Sequence, residues 1–174
     1  MPSGKSHDRI TLWLLPGVLT GAFMLTIDVP LTIIVSISFL IGGFMMGPDL
    51  DIQSIQYRRW GPVRWIWSPY QMMVKHRSPW SHGPVIGTLV RVVYLGIWIG
   101  LFMVLGVLAV NHFWQAQLSW SMLETTLMSL FARYGKQWLA LLAGLELGAL
   151  SHYTSDWLAS MIKKKKRKRR HQKK

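Results

Sequence analysis

The sequence contains no cysteine, which removes disulfide frameworks, thiolate metal sites and a cysteine nucleophile together. Negative charge is nearly as scarce, with seven Asp and Glu against twenty Lys and Arg in 174 residues. Charged residues make up only 16% of the chain and hydrophobic ones 51%, for a mean hydropathy of +0.25, which is apolar for a water-soluble protein. G-x-S-x-G, P-loop and H-E-x-x-H patterns are also missing, so the common serine-hydrolase, nucleotide-binding and zincin signatures do not apply. There is no internal repeat, and the length suits one domain. Half of the basic residues lie in the final stretch 163–174, KKKKRKRRHQKK. The net charge of +13 is therefore mostly a tail. Such runs are usually solvated interaction tails, and without aromatics this one has no means of base-specific readout. The chain divides into an apolar domain, 1–162, and a basic tail, 163–174, expected to lack fixed structure.

Four apolar stretches dominate the domain: Ile10–Ile27, Val29–Gly47, Val85–Val110 and Trp138–Ile162, the last polar in its second half. A membrane-crossing helix needs about 20 mostly apolar residues. The pattern predicts an all-α integral membrane bundle of about four transmembrane helices. Lys5 and Arg9 precede the first span, Arg58, Arg59, Arg64, Lys75 and Arg77 separate the second from the third, and the basic tail follows the fourth. The positive-inside tendency then puts both termini in the cytoplasm of a bacterial inner membrane. A cleaved signal peptide is the alternative for the first stretch, but no small-x-small cleavage site follows it. Asp28 and Pro30 read as a tight hairpin turn. The 48–84 segment, with its Trp, Tyr and Arg, suits either the headgroup interface or a loop packed on the bundle. The 111–137 segment reads as one or two short amphipathic helices on the far side.

The few acids and histidines are grouped. His7 and Asp8 precede the first span, and Asp49 and Asp51 in GPDLD follow the second. His76 and His82 in KHRSPWSHG precede the third, and His152 and Asp156 in SHYTSD lie in the fourth. In the four-span arrangement every pair falls at the cytoplasmic end of its helix. His152 and Asp156, four apart, share a helix face. Each pair alone has an ordinary explanation: a solvated terminus, an N-cap, turn formers after proline, lipid-facing basic decoration or an intrahelical hydrogen bond. Four such pairs on one membrane face are harder to dismiss, because unpaired ionisable groups near lipid are costly.

Four imidazoles and four carboxylates exceed the needs of one four-coordinate ion. The expected cofactor is a divalent metal, zinc first and manganese, iron or magnesium after it, as one or two ions. His7, Asp49, Asp51, His76, His82, His152 and Asp156 are the expected ligands, and Asp8 the candidate general base. Glu146 points away from the His152 face and reads either as a group behind the ligands or as a partner for Arg91 between spans. Arg91 could equally reach out to the interface. His112 and His171 fall outside the site.

These motifs, SGKSHD, GGFMMGPDLDI, KHRSPWSHGP and LELGALSHYTSDW in this order, resemble an uncharacterised bacterial family of metal-binding membrane proteins over about residues 3–160. A looser similarity links them to predicted inner-membrane metal-dependent hydrolases, whose H-R-x-x-x-H-type motif is matched by His76 and His82 with one residue more between them. The His152-x-x-x-Asp156 spacing looks like one element of the zinc-dependent phospholipase C and P1-nuclease group. The resemblance implies metal binding.

The leading expectation is a metal-dependent hydrolase acting on a phosphoester or other ester at the cytoplasmic membrane face. The expected partners are membrane lipids, with anionic headgroups held by the basic tail and no specific nucleic acid. Two alternatives use other chemistry: a non-catalytic protein whose metal clamps the helix ends, and a membrane anchor whose tail binds anionic lipid or RNA.

Overall fold

The structure, a computed structural model, describes residues 4–171, and among these it contains helix and no strand. Two long helices open the chain, α1 (Gly4–Thr26) and α2 (Val29–Phe44). Their junction is as tight as DVP suggests. Asp28 caps α2, its Oδ1 accepting the Leu31 N–H at 2.8 Å, and Pro30 occupies the first turn, where no N–H is needed.

A run of short turns follows: a 3-10 turn (Pro48–Asp51), α3 (Ile55–Arg58), a second 3-10 stretch (Gly61–Trp67), α4 (Ser68–Met73) and α5 (Pro79–His82). This segment is a packed cap rather than a strap. Leu50, Ile66, Trp67 and Tyr70 form its buried core, and Trp67 packs edge-on against Tyr70. The Trp60 indole donates to the Met45 carbonyl at 3.1 Å, and the Tyr94 hydroxyl donates to the Ile66 carbonyl. Trp65, Met72, Met73 and Trp80 point outward and stay exposed.

The chain continues with α6 (Ile86–Trp114), α7 (Trp120–Arg133) and α8 (Gly135–His171). By length and composition α1, α2 (with the turn after it) and α6 qualify as membrane-crossing helices, over Ser6–Thr26, Val29–Asp51 and Ile86–Trp114. Among the described residues three helices thus qualify where about four were expected. The Trp138–Ile162 stretch is helical, but Glu146, His152 and Asp156 interrupt its apolar run. The basic stretch continues α8 as far as His171 instead of leaving it, and 172–174 lie outside the described residues.

α2 is the central helix, with α1 against one side and α8 against another. Glycine sets the second contact. A Cβ on Gly148 would strike the Phe39 carbonyl and the Gly43 nitrogen, and one on Gly144 would strike Ser38 and the Val35 carbonyl. Backbone meets backbone there, the close approach that small residues permit between apolar helices. This crossing fixes the C-terminal end of α2 beside the middle of α8, which brings GPDLD to SHYTSD.

Candidate metal centre

Four separate segments meet at that end of the bundle. His7 comes from the first turns of α1, Asp49 and Asp51 from the 3-10 turn after α2, His76 and His82 from the α5 region before α6, and His152 with Asp156 from α8. Two groups of ligand atoms result. His7, His152 and Asp156 make one, and Asp49, His76 and His82 the other, with the atoms of each group within 4.8 Å of one another.

In the first group the imidazoles of His7 and His152 stack, centroids 3.8 Å apart and planes 11° from parallel. One carboxylate faces both rings: Asp156 Oδ1 lies 3.4 Å from His7 Nε2 and Oδ2 lies 3.8 Å from His152 Nε2. The i,i+4 spacing on α8 produces the second of these distances directly. Ser155 lies beside Asp156 on the same helix and bonds His7 Nδ1 at 2.6 Å, so His7 turns Nε2 toward the cluster.

In the second group the other ring nitrogens are occupied in the same way. His76 Nδ1 lies 2.9 Å from Asp51 Oδ1, and Ser81 Oγ lies 2.9 Å from His82 Nδ1. Asp51 Oδ2 approaches that same His82 nitrogen at 3.7 Å, and the Asp51 side chain is fully buried. Asp51, expected as a ligand, therefore backs both histidines. Such an arrangement fixes the tautomer and leaves Nε2 for an ion.

Asp49 joins the groups. Its Oδ1 lies 3.6 Å from His82 Nε2 and its Oδ2 lies 3.3 Å from His152 Nε2. Gln56 holds this turn in place. Its Nε2 donates to the Gly43 carbonyl at 2.9 Å, and its Oε1 accepts the Asp49 N–H at 3.2 Å. No feature of the IQYR sequence marks Gln56 as such a brace. Ser155 was legible in principle, since it shares the helix face of His152 at i+3.

The donor set fits a cation. Asp49 Oδ1, His82 Nε2, His152 Nε2 and Asp156 Oδ1 are all buried with no hydrogen-bond partner, and buried polar atoms are rarely left so. They point into the same cluster that the distances define. A shell of imidazole and carboxylate with no thiolate is one that zinc, manganese or iron accepts.

Asp8 stands apart. Arg59 takes both of its oxygens, Nη1 to Oδ1 at 3.0 Å and Nη2 to Oδ2 at 2.5 Å, and also donates to the Phe44 carbonyl. Asp8 thus ties α1 to the segment after α2 and belongs to neither ligand group. Arg91 does not reach out to an interface. It is fully buried, donating to the Ser81 carbonyl at 2.8 Å and to Thr88 Oγ1 at 3.0 Å. It braces the turn that carries His82. Burial pushes the nearby Tyr70 hydroxyl up to about 12, against the opposing pull of Arg91, so Tyr70 stays neutral. Glu146 is engaged elsewhere, Oε1 accepting the Val85 N–H at 3.0 Å. Val85 has φ +64°, a conformation that β-branched residues rarely adopt, and Glu146 anchors it at the entrance to α6.

Comparison with known proteins also points to metal binding. The sequence pattern described as "Uncharacterized metal-binding protein (DUF2227)" matches residues 2–166. An uncharacterized protein of Aquifex aeolicus (strain VF5) is 38% identical over 60 residues, covering 34% of this chain and 42% of that protein's length. No solved structure matches at a significant level. The chain belongs to the DUF2227 family of metal-binding proteins.

Proposed function

We propose that this member of a metal-binding family is a membrane-embedded hydrolase that holds two divalent ions, zinc foremost, side by side at one end of its helical bundle. The observation that carries the two-ion reading is Asp49, whose two oxygens face different ligand groups. His7, His152 and Asp156 would hold one ion and His76 and His82 the other, with Asp49 shared between them. Bound there, such ions supply Lewis acidity and activate water against a phosphoryl or carbonyl centre.

The chain's own residues do the rest. Ser155 holds His7, Asp51 holds His76, and Ser81 with Asp51 holds His82, each with Nε2 toward the ions. Asp8, committed to Arg59, takes no proton in this reading. A phosphoester or other ester would enter where Asp49, His82 and Asp156 keep partial exposure, at 17%, 17% and 21% of their side chains.

Membrane placement rests on composition. α1, α2 and α6 have the length and apolarity to cross, and the Trp138–Ile162 part of α8, polar in its second half, would make a fourth crossing. The metal end would then face the cytoplasm of a bacterial inner membrane, on the side where most Lys and Arg lie.

A second reading is favoured by the depth of His7 and His152, 6% and 4% exposed. In it the ions only clamp the helix ends. Elemental analysis of the purified, detergent-solubilised full chain should find two ions per protein. Asp49→Ala should lose most of that metal together with any phosphoester turnover. Full metal retention in Asp49→Ala overturns the site. Two ions with a chelation-sensitive melting temperature and no turnover of any ester leave the clamp.

A further inference from the structure

A second feature of the bundle lies below the metal centre. Because α1 and α8 both pack on α2, an apolar cleft of about 810 Å³ remains between them. Val35 and Phe39 of α2 form its floor, Gly17 and Gly21 its α1 wall, and Ala143 and Leu147 its α8 wall. The glycines make it roomy, since a Cβ on either would meet nothing within 4 Å. Ser151 and Thr154 close the end nearest the metal ligands, and Thr26 and Lys136 mark the opposite end. The two hydroxyls at the near end bond to carbonyls of their own helix, Gly148 at 2.7 Å and Leu150 at 2.9 Å, so they add little polarity. The near end is one residue from His152. Thr11 Oγ1, which donates to the His7 carbonyl and lies 3.4 Å from Ser151 Oγ, is the partition between the cleft and the imidazoles.

From these observations we propose that the cleft takes one hydrocarbon chain of a membrane lipid and holds that lipid's headgroup level with the metal ligands. The inference rests on the hydrolase reading and gives its substrate class: a lipid ester or phosphoester rather than a soluble one. Three properties favour a lipid chain over a second copy of the protein or a peptide. Two of the three helices that wall the cleft, α1 and α2, qualify as membrane-crossing. From Lys136 to Thr154 it follows α8 for about 27 Å, more than the roughly 15 Å of one leaflet, so a single chain fits within it with its headgroup at the ligand end. Its walls offer no backbone or side-chain polar group, apart from the residues at its ends, that a peptide would pair with. The exposed face of α6 lacks the enclosure, so it serves as an internal control.

The test is photocrosslinking of the full chain in vesicles of phosphatidylethanolamine and phosphatidylglycerol, doped with phosphatidic acid carrying a diazirine in mid-chain. Adducts should concentrate on the cleft-facing residues of α1 and α8. Gly17→Leu with Gly21→Leu should cut those adducts at least fivefold, leaving adducts on α6 and the metal content unchanged. The adduct map of the unaltered chain stands as evidence even if the double variant folds poorly, and Gly21→Leu alone is a milder filling variant. Labelling spread evenly over α6 and the cleft, and insensitive to filling, overturns the proposal, as does protein–protein crosslinking through the cleft. The map needs neither metal nor turnover. Concentrated adducts on a metal-free chain would therefore support the cleft while removing the hydrolase reading, and even labelling of a metal-loaded chain would remove the cleft alone.

Discussion

Asp49 and Asp51 lie two residues apart in one 3-10 turn, and the turn aims them in different directions. Asp49 faces the cluster, while Asp51 is buried behind His76 and His82. Carboxylates in that position raise ligand basicity and fix ring orientation. Asp51→Asn replaces an acceptor oxygen with a donor NH2 group that opposes at least one Nδ1–H. It should weaken the His76–His82 ion by about 10–100-fold while the His7–His152–Asp156 ion keeps its affinity. Titration against a competing chelator would then show one tight and one weak ion, where the parent shows two tight ones. Equal weakening of both would mean that Asp51 supports the turn as a whole rather than the two histidines. The four segments that meet at the cluster were legible in the sequence, because scarce acids and histidines gathered at the ends of, or within, four apolar stretches. The division of labour within them was not. It depends on which ring nitrogen meets which oxygen, and neither spacing nor composition encodes that.

Among the elements, the α2–α8 crossing decides most. It sets Asp49 against His152, and it exists because Gly144 and Gly148 let the backbones touch. Glycines in an apolar sequence read only as permissive, so the crossing could not be located from the sequence, although the helices themselves could. Gly148→Leu would insert a side chain where Phe39 and Gly43 backbone atoms stand, and overpacking of this kind costs about 1–3 kcal/mol. The expected outcome is a lower melting temperature and loss of most of the bound metal, measured on the same preparation. Gly17→Leu, placed in open space, should change neither. The 48–84 segment shows a further limit of sequence reading. Its aromatics suited both an interfacial and a packed loop, and the structure buries Trp67 and Tyr70 while exposing Trp65 and Trp80. Single-residue amphipathicity does not choose between faces that the turns alternate.

At the scale of the molecule, the charge distribution predicts which way the bundle sits. Because the chain has no cysteine, single introduced thiols report sidedness without background. In intact cells His112→Cys, at the end of α6 remote from the metal ligands, should react with a membrane-impermeant maleimide. Gln172→Cys should react only after the cells are opened. The reverse pattern would invert the bundle, and reaction of both in intact cells would place the ends of α6 and α8 on one side.

α8 runs without a break from Gly135 to His171, and no glycine or proline occurs after Gly148. Sharp bends in helices almost always need such residues or an inserted bulge. His152 and Asp156 therefore ride on the same stiff shaft as the cationic residues beyond them. In the two-ion reading, a pull or tilt imposed on that shaft by an anionic surface would reach two of the proposed ligands directly, with no hinge in between to absorb it.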